Sequence, residues 1–394
     1  CIAAKRFIVA EEIADEFRAK GIPVVMGGVH PSFMPQEALK HADAVVIGEV
    51  ELVIDKLLDD LKQGEMKGTY KSVKLHPMVG LSMPRYDLLK KHRYVNKTFV
   101  QTSRGCHQGC TFCAEPLMNG LKFRYRPVDE VIHEMENCGS RMISINDADF
   151  FGTPERPKEV MRALKGRNIQ WQAGVTSKLA QDDRMLELAA ESGCTLLSIG
   201  FESISRSTLT SVHKHVNRPD TFAALVEKVH SYGIMVFGLF MFGFDGDDAS
   251  VFDETVKFNI GADYDACAYS VLTPYPGTLT WYEMKKADRI VSFDWTKYDQ
   301  ANVVYRPSQM TGDQLRLGAI VVGKECVVRD VEVARIGAQL HDLAKDGEAA
   351  EPGIKNQNGR RGRHGGHGSQ RTRGIAIGSA APCGTDVYSR FTEM

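Results

Sequence analysis

Three cysteines that lie close together in the sequence are the residues best suited to metal chemistry. They are Cys106, Cys110 and Cys113, so their spacing is C-x3-C-x2-C within one glycine-containing loop. Thiolates at such short spacing bind zinc or an iron–sulfur cluster. The loop supplies no obvious fourth ligand of the same kind, which leaves one coordination position open. An open position favours a catalytic iron–sulfur cluster. The alternatives are an iron–sulfur electron carrier and a zinc-binding interaction module.

The remaining composition is that of an ordinary cytoplasmic protein. The 394 residues carry a formal net charge of −1, which gives no general attraction to nucleic acid or anionic membrane. No apolar run reaches membrane-spanning length, and no signal peptide opens the sequence. The nine cysteines are odd in number and occur singly outside the loop, which argues against a disulfide framework. We therefore expect a cytoplasmic protein that binds a small-molecule substrate and not nucleic acid.

A regular alternation of strand and helix patterns surrounds the cysteine loop. Strands are predicted at residues 99–102, 142–145, 169–173, 195–199, 235–241 and 268–272. Helices are predicted between them at residues 128–137, 154–164, 182–192, 220–232 and 249–259. This alternation predicts a parallel (β/α)6 barrel or partial barrel, in which function gathers in the loops that follow the strands. The cysteine loop follows the first of these strands, which supports a catalytic role.

The first 65 residues predict half of a doubly wound parallel sheet. A helix, a strand, a glycine loop, a helix and a second strand follow one another, and ligands of such sheets bind at the carboxyl ends of the strands. Gly27, Gly28 and Gly48 lie at those ends. Residues 66–97 lack periodicity and are expected to be a linker to the barrel at 98–290. A C-terminal extension is expected at 291–330, and a low-complexity, disordered tail at 331–394, where residues 353–374 contain no acidic side chain.

The cysteine spacing, Phe112 directly before the third cysteine and the strand–helix alternation resemble the radical S-adenosylmethionine (radical SAM) superfamily over about residues 95–290. The resemblance implies that the three cysteines hold three irons of a [4Fe-4S] cluster. It also implies that SAM chelates the fourth iron and that Phe112 packs near the adenine. One electron from the reduced cluster then cleaves SAM into methionine and a 5′-deoxyadenosyl radical. A reductant such as flavodoxin or ferredoxin is implied as a partner.

Two further sites follow from this resemblance. Asn146, Asp147 and Asp149 come after the second strand, where the family usually has a Gly-Gly-Glu motif that binds the amino group of SAM. An ordinary strand-ending turn is the alternative there. Glu202 ends the fourth strand, where the family places a carboxylate that binds the ribose hydroxyls. A helix-capping polar cluster is the alternative for Glu202.

A half-sheet followed by such a barrel is similar to the cobalamin-dependent branch of the superfamily. That branch includes methyltransferases and the anaerobic cyclase of magnesium-protoporphyrin monomethyl ester. The implied fold is α/β, a partial parallel TIM-like barrel preceded by an incomplete Rossmann-like cobalamin-binding domain with Gly27, Gly28 and Gly48 beside the cobalamin. The implied activity is radical methylation or oxidative cyclisation of a hydrophobic or tetrapyrrole-like small molecule.

Overall fold

A computed structural model describes residues 3–89, 98–178 and 182–325 of the chain. The predicted tail at 331–394 and the last part of the predicted linker lie outside these residues. The described residues all belong to one compact unit, which lies within Cys1–Val333. None of the helices in the described ranges is long and apolar enough to cross a membrane.

The described residues form helices and strands in close alternation. The helices are α1 (Ala3–Ala19), α2 (Val29–Phe33), α3 (Pro35–His41), α4 (Ile54–Gln63), α5 (Glu115–Asn119), α6 (Val128–Asn137), α7 (Arg156–Leu164), α8 (Asp183–Glu191), α9 (Arg206–Ser211), α10 (Phe222–Ser231), α11 (Ser250–Ala262), α12 (Leu279–Lys286) and α13 (Gly312–Glu325). The strands are β1 (Val25–Met26), β2 (Ala44–Ile47), β3 (Gly68–Lys71), β4 (Phe99–Val100), β5 (Ser103–Arg104), β6 (Arg124–Tyr125), β7 (Met142–Ile145), β8 (Gln170–Val175), β9 (Cys194–Glu202), β10 (Met235–Phe242) and β11 (Ala266–Val271).

The first sheet contains three parallel strands in the order β1-β2-β3. The third strand corrects the prediction that residues 66–97 are a linker, since Gly68–Lys71 pairs with β2 along its whole length. Tyr70 anchors this strand because its side chain is buried and its hydroxyl donates to Asp60 Oδ2 at 2.7 Å. A short strand with glycine at one end and lysine at the other offers little alternation, so its pattern was too weak to detect.

The main sheet confirms the predicted series of six parallel strands. Its order is β11-β10-β9-β8-β7-β4, so the strands lie side by side in chain order. All five pairings are parallel, which requires a crossover helix between consecutive strands. Within the described residues β4 and β11 are the two edges of an open sheet, the topology of a partial barrel.

The two faces of this sheet differ in character. Trp171, Ile199 and Val236 belong to the face that packs on the helices, and all three are fully buried in one hydrophobic cluster. The opposite face, called the inner face below, carries residues that alternate with these. Its cross-strand neighbours include Ser144 beside Gln172, Gly174 beside Ser198, Leu239 beside Ala268 and Met241 beside Ser270. The inner face therefore combines small and polar positions with a few flexible apolar side chains.

A second hydrophobic cluster joins the N-terminal segment to the end of the main sheet. Phe7 and Met26 share it with Trp295 and Tyr305. His30 is also buried at this junction, where its Nε2 lies 2.9 Å from Glu37 Oε2 and its ring packs against Trp295. The indole of Trp295 donates to the other Glu37 oxygen at 2.7 Å. The N-terminal sheet and the last strands of the main sheet therefore share this second cluster.

Candidate active site

The cysteine loop is held at its base by a two-residue antiparallel ribbon. Strands β5 and β6 flank the loop and pair Ser103 with Tyr125 and Arg104 with Arg124. The loop opens with Gly105, whose φ is 99°, and a Cβ there would collide with the carbonyl oxygen of Lys122. Only glycine fits such a close approach at a positive φ. The next amide, that of Cys106, then donates to the Gly120 carbonyl at 3.1 Å and closes the loop.

The three cysteine thiols of this loop are shielded from solvent. Cys106 and Cys110 are each 8% exposed, and Cys113 is half-buried. Burial raises the pKa of Cys106 and Cys110 above that of an ordinary thiol and raises the pKa of Cys113 to about 12. Metal binding therefore has to displace the thiol protons, as iron does when it binds thiolates. Three soft, shielded donors in one loop fit an iron–sulfur cluster.

A buried lysine that the sequence analysis missed faces all three thiols. Lys214 is 8% exposed, and its charge lowers the pKa of Cys106, Cys110 and Cys113 against the effect of burial. Its Nζ lies 3.2 Å from Glu202 Oε1. Burial alone would lower the pKa of Lys214, but the Glu202 carboxylate raises it above its ordinary value. A fixed positive charge therefore lies where anionic thiolates and an anionic ligand would need compensation.

Glu202 is presented by a distortion at the end of β9. The strand pairing shifts register so that Leu239 lies opposite Gly200 while Phe240 lies opposite Glu202, which leaves Phe201 as a bulge. Glu202 has a φ of 65°, an uncommon value for a residue with a Cβ. The side-chain amide of buried Asn217 donates to the carbonyls of Gly200 and Phe201 at 2.8 and 2.7 Å. Bulges and strained residues of this kind often aim a side chain at a functional site.

The three polar residues after β7 point to different partners. The Asp147 carboxylate accepts four hydrogen bonds, from the backbone amides and hydroxyls of Thr102 and Ser103. It thus holds the segment that leads into the cysteine loop, and its acceptor positions are filled. Asp149 is buried and accepts from the amide and hydroxyl of Thr176 at 3.2 and 2.9 Å. Its charge acts on Cys106, and burial raises its pKa. Asn146 is exposed beside them.

Two residues next to the cysteines connect the loop to distant elements. The amide of Thr111 donates to the Val212 carbonyl at 3.2 Å, two residues before Lys214. Its hydroxyl lies 3.1 Å from that of Thr280, on α12. The ring of Phe112 is half-buried and lies 5.7 Å from the ring of Phe244, in the loop after β10. The cysteine loop, the end of β9 and the loop after β10 therefore meet at the carboxyl ends of the strands of the main sheet.

The glycines of the N-terminal sheet form a separate group. Gly28 and Gly48 have φ values of 102° and 81°, and a Cβ on either would meet no atom within 4 Å. Ser32 joins them, since its hydroxyl donates to the Gly28 carbonyl at 2.7 Å and accepts from the Gly48 amide at 2.9 Å. A Cβ on Gly27 would meet Val46 at 3.5 Å. The open space beside Gly28 and Gly48 is at the carboxyl ends of β1 and β2.

Comparisons with known proteins agree with this geometry. The Radical SAM superfamily matches residues 100–258, a range that contains the cysteine loop, Glu202 and Lys214. The bacteriochlorophyllide d C-12(1)-methyltransferase of Chlorobaculum tepidum is 35% identical in an alignment of 327 positions that covers 80% of this chain and 71% of that protein. The chain belongs to the radical SAM superfamily. Members of this superfamily use a [4Fe-4S] cluster and SAM.

More distant relatives agree in fold. The anaerobic magnesium-protoporphyrin IX monomethyl ester cyclase of Rubrivivax gelatinosus is 24% identical in an alignment of 332 positions that covers 75% of this chain and 58% of that protein. The structure of TsrM from Kitasatospora setae, a radical SAM methyltransferase with cobalamin and a [4Fe-4S] cluster bound, matches with a TM-score of 0.62 at 19% identity. That match covers 71% of this chain and 62% of the TsrM chain. The chain thus shares the fold of this cobalamin-containing radical SAM structure.

No local signal in the sequence pointed to Lys214 in this radical SAM site. It stands between His213 and His215 in a polar stretch after α9, where a solvent-exposed lysine is the ordinary expectation. Only the fold brings it back to Glu202, twelve residues earlier, and to the thiols. Within the described residues no three cysteine, histidine or carboxylate side chains converge as a single metal ion would require. A cluster has no such requirement, because each thiolate binds a different iron.

Proposed function

We propose that the chain is a radical SAM methyltransferase whose Cys106, Cys110 and Cys113 each bind one iron of a [4Fe-4S] cluster. The observation that carries this proposal is that the charge of Lys214, which is buried and paired with Glu202, acts on all three shielded thiols of the cysteine loop. When bound and reduced, the cluster supplies the electron that cleaves SAM into methionine and a 5′-deoxyadenosyl radical. The residues of this chain shield the cluster from water, hold the loop in shape and orient SAM.

The charges around the thiols match the groups that SAM carries. The Lys214 ammonium is a partner for the SAM carboxylate, and Glu202 is an acceptor for the ribose hydroxyls. Asn146 and Asp149 remain candidates to accept from the SAM amino group, and Phe112 to pack on the adenine. Asp147 is reassigned from SAM binding to holding the loop, because its four hydrogen bonds already fill its acceptor positions.

Cobalamin is part of this proposal as the second cofactor. The open space beside Gly28 and Gly48 supports it, since backbone without side chains lets a large ligand approach closely. His30 is not available as a cobalt ligand, because it is buried and hydrogen-bonded to Glu37. TsrM and OxsB, whose structures share this fold, are described with bound cobalamin.

The proposed substrate is a hydrophobic or tetrapyrrole-like small molecule. Two relatives act on bacteriochlorophyllide d by name, and methyl transfer is favoured over cyclisation because they are 35% and 29% identical against 24% for the cyclase. The inner face combines Gly174 and Ala268 with the apolar Leu239 and Met241, a composition that suits a broad apolar ligand. We place the enzyme in the cytoplasm with a reductant such as flavodoxin or ferredoxin, because that compartment keeps thiols reduced.

Anaerobic reconstitution of the chain tests the proposal. We expect about four irons per chain and formation of 5′-deoxyadenosine from SAM with a strong reductant. Cys110→Ala should lose both, while Cys267→Ala, which removes a half-buried thiol outside the loop, should keep both. Bound zinc in place of iron would support the zinc-binding module. A cluster whose spectrum does not respond to SAM would support the electron carrier. Either result would overturn the proposal.

A further inference from the structure

A buried carboxylate from the N-terminal sheet bridges the two strands at the base of the cysteine loop. Glu49 follows Gly48 at the end of β2, and its side chain is 6% exposed. Its carboxylate accepts from Arg104 Nη1 at 3.1 Å and from Arg124 Nη1 and Nη2 at 3.0 and 2.7 Å. It also accepts from the His76 amide at 2.7 Å. One side chain thus collects donors from three separate segments.

The two arginines are direct cross-strand partners in the ribbon that flanks the loop. Arg104 is on β5 and lies opposite Arg124 on β6. Like charges directly opposite each other destabilise an antiparallel pair. The ribbon has only two residue pairs, so it has little stability of its own to offset that repulsion. The Glu49 carboxylate lies within hydrogen-bond distance of both guanidinium groups and turns their repulsion into attraction.

Further contacts fix both arginines in place. Arg104 also donates to Glu51 Oε1 at 2.7 Å and to Gln101 Oε1 at 2.9 Å. Arg124 donates to the carbonyls of His76 and Asn119 at 2.5 and 2.9 Å. Asn119 precedes Gly120, whose carbonyl receives the Cys106 amide. The network therefore reaches both ends of the cysteine loop.

Glu49 is ionised in this setting. Burial alone would raise its pKa, but the hydrogen bonds from Arg124, the His76 amide and Arg104 hold the pKa below its ordinary value. The Gly48 amide before it donates to Ser32, which in turn donates to the Gly28 carbonyl. The backbone that carries Glu49 is thus fixed to the glycine loop of the N-terminal sheet.

We propose that Glu49 is a positioning residue for the cluster. It holds the ribbon β5–β6 closed against the repulsion of Arg104 and Arg124, and so keeps the three cysteines in the arrangement that a cluster requires. This inference rests on the proposed function, in which the loop binds a [4Fe-4S] cluster. It assigns to the N-terminal sheet a role in the cluster site that does not depend on cobalamin.

Hydrogen exchange of the iron-free chain is the first test. Glu49→Gln removes the charge and keeps the shape, so we expect amide exchange within residues 105–120 to rise about tenfold while the strands of the main sheet keep their protection. Asp59→Asn is the matched control, because Asp59 belongs to an exposed ion pair with Lys62 on α4 of the same segment. Amide exchange in the D59N chain should equal that in the unchanged chain.

Retention of iron is the second test. After anaerobic reconstitution, the E49Q chain should lose iron to a chelator about tenfold faster than the D59N chain. The double variant E49Q/R124Q should recover much of the loss, because Arg104 keeps Glu51 as its partner and no longer faces a like charge. If E49Q merely destabilised the fold, removal of the Arg124 guanidinium as well would add to the defect and would not restore iron retention.

Three outcomes would overturn the inference. One is unchanged exchange and iron retention in E49Q. Another is exchange that rises equally throughout the chain, which would show a general loss of stability. If E49Q does not fold, Glu51→Gln replaces it. The Glu51 side chain is 22% exposed and contacts Arg104, so we expect a smaller rise in exchange that is confined to the same segment. The absence of that rise is the third outcome. Failure of the unchanged chain to bind iron would refute the proposed function but leave the exchange test intact.

Discussion

Replacement of Asp147 tests whether this residue holds the cysteine loop in place or binds SAM. Its carboxylate accepts from the amides of Thr102 and Ser103 at 2.7 and 3.0 Å and from the Ser103 hydroxyl at 2.7 Å. The Thr102 hydroxyl donates to it as well. Thr102 and Ser103 are 2% and 3% exposed, so water cannot readily replace the carboxylate.

The expected cost of Asp147→Ala follows from these donors. The two hydroxyls can rotate towards other acceptors, but the two buried amides cannot. An unsatisfied buried amide costs about 1–3 kcal/mol, which gives about 4 kcal/mol for the pair. Removing a carboxylate whose pKa is raised by burial returns part of this cost, so we expect a net loss of about 3 kcal/mol. Both amides donate to the same carboxylate oxygen, so Asp147→Asn, which keeps one oxygen, should cost much less than Asp147→Ala.

Urea unfolding of the iron-free chains measures this loss. The matched control is Asn146→Ala, the exposed neighbouring residue, which should change the free energy of unfolding by less than about 0.5 kcal/mol. The cluster content of D147A should fall together with its stability, because the segment that leads into the loop is no longer fixed. A D147A chain that unfolds like the unchanged chain, keeps its iron and fails only to bind SAM would refute the reasoning.

Three other substitutions test the charges and backbone of the site. Lys214→Met leaves the Glu202 carboxylate without its partner 3.2 Å away. It should cost about 3 kcal/mol in urea unfolding, with partial recovery in K214M/E202Q. Burial raises the pKa of Asp247 from 3.8 to about 6, so folding favours its protonated form. The stability of the unchanged chain relative to Asp247→Asn is therefore expected to be greatest below pH 4 and to fall by up to about 3 kcal/mol as the pH rises through 6, measured by unfolding at several pH values. Gly105→Ala should abolish iron binding because its Cβ would collide with the Lys122 carbonyl, while Gly139→Ala, also at positive φ but in open space, should retain it.

The strands of the main sheet could be predicted from the sequence because each has its own pattern of apolar residues. Buried positions alternate in β8, where Trp171, Ala173 and Val175 face the helices, and the helix at 128–137 was predicted to the residue. The ends of strands were less predictable. Strand β9 continues to Glu202 through a bulge, and the bulge depends on the Asn217 amide rather than on any alternation within the strand. A feature that a distant side chain stabilises leaves no periodic signal.

The candidate site also combines features that local sequence encodes with features that depend on distant side chains. The cysteine spacing is a local pattern and was visible at once. The segment that precedes the loop is not locally determined, because three consecutive residues are held by carboxylates from two other elements. Asp147 at the end of β7 holds Thr102 and Ser103, and Glu49 at the end of β2 holds Arg104. These partners lie 44 to 55 residues away along the chain. In sequence both carboxylates are polar residues at strand ends, and Asp147 was predicted to bind SAM because the resembling family has its SAM-binding motif at that position. The fold fills their acceptor positions, so the final geometry of the loop depends on residues from both sheets.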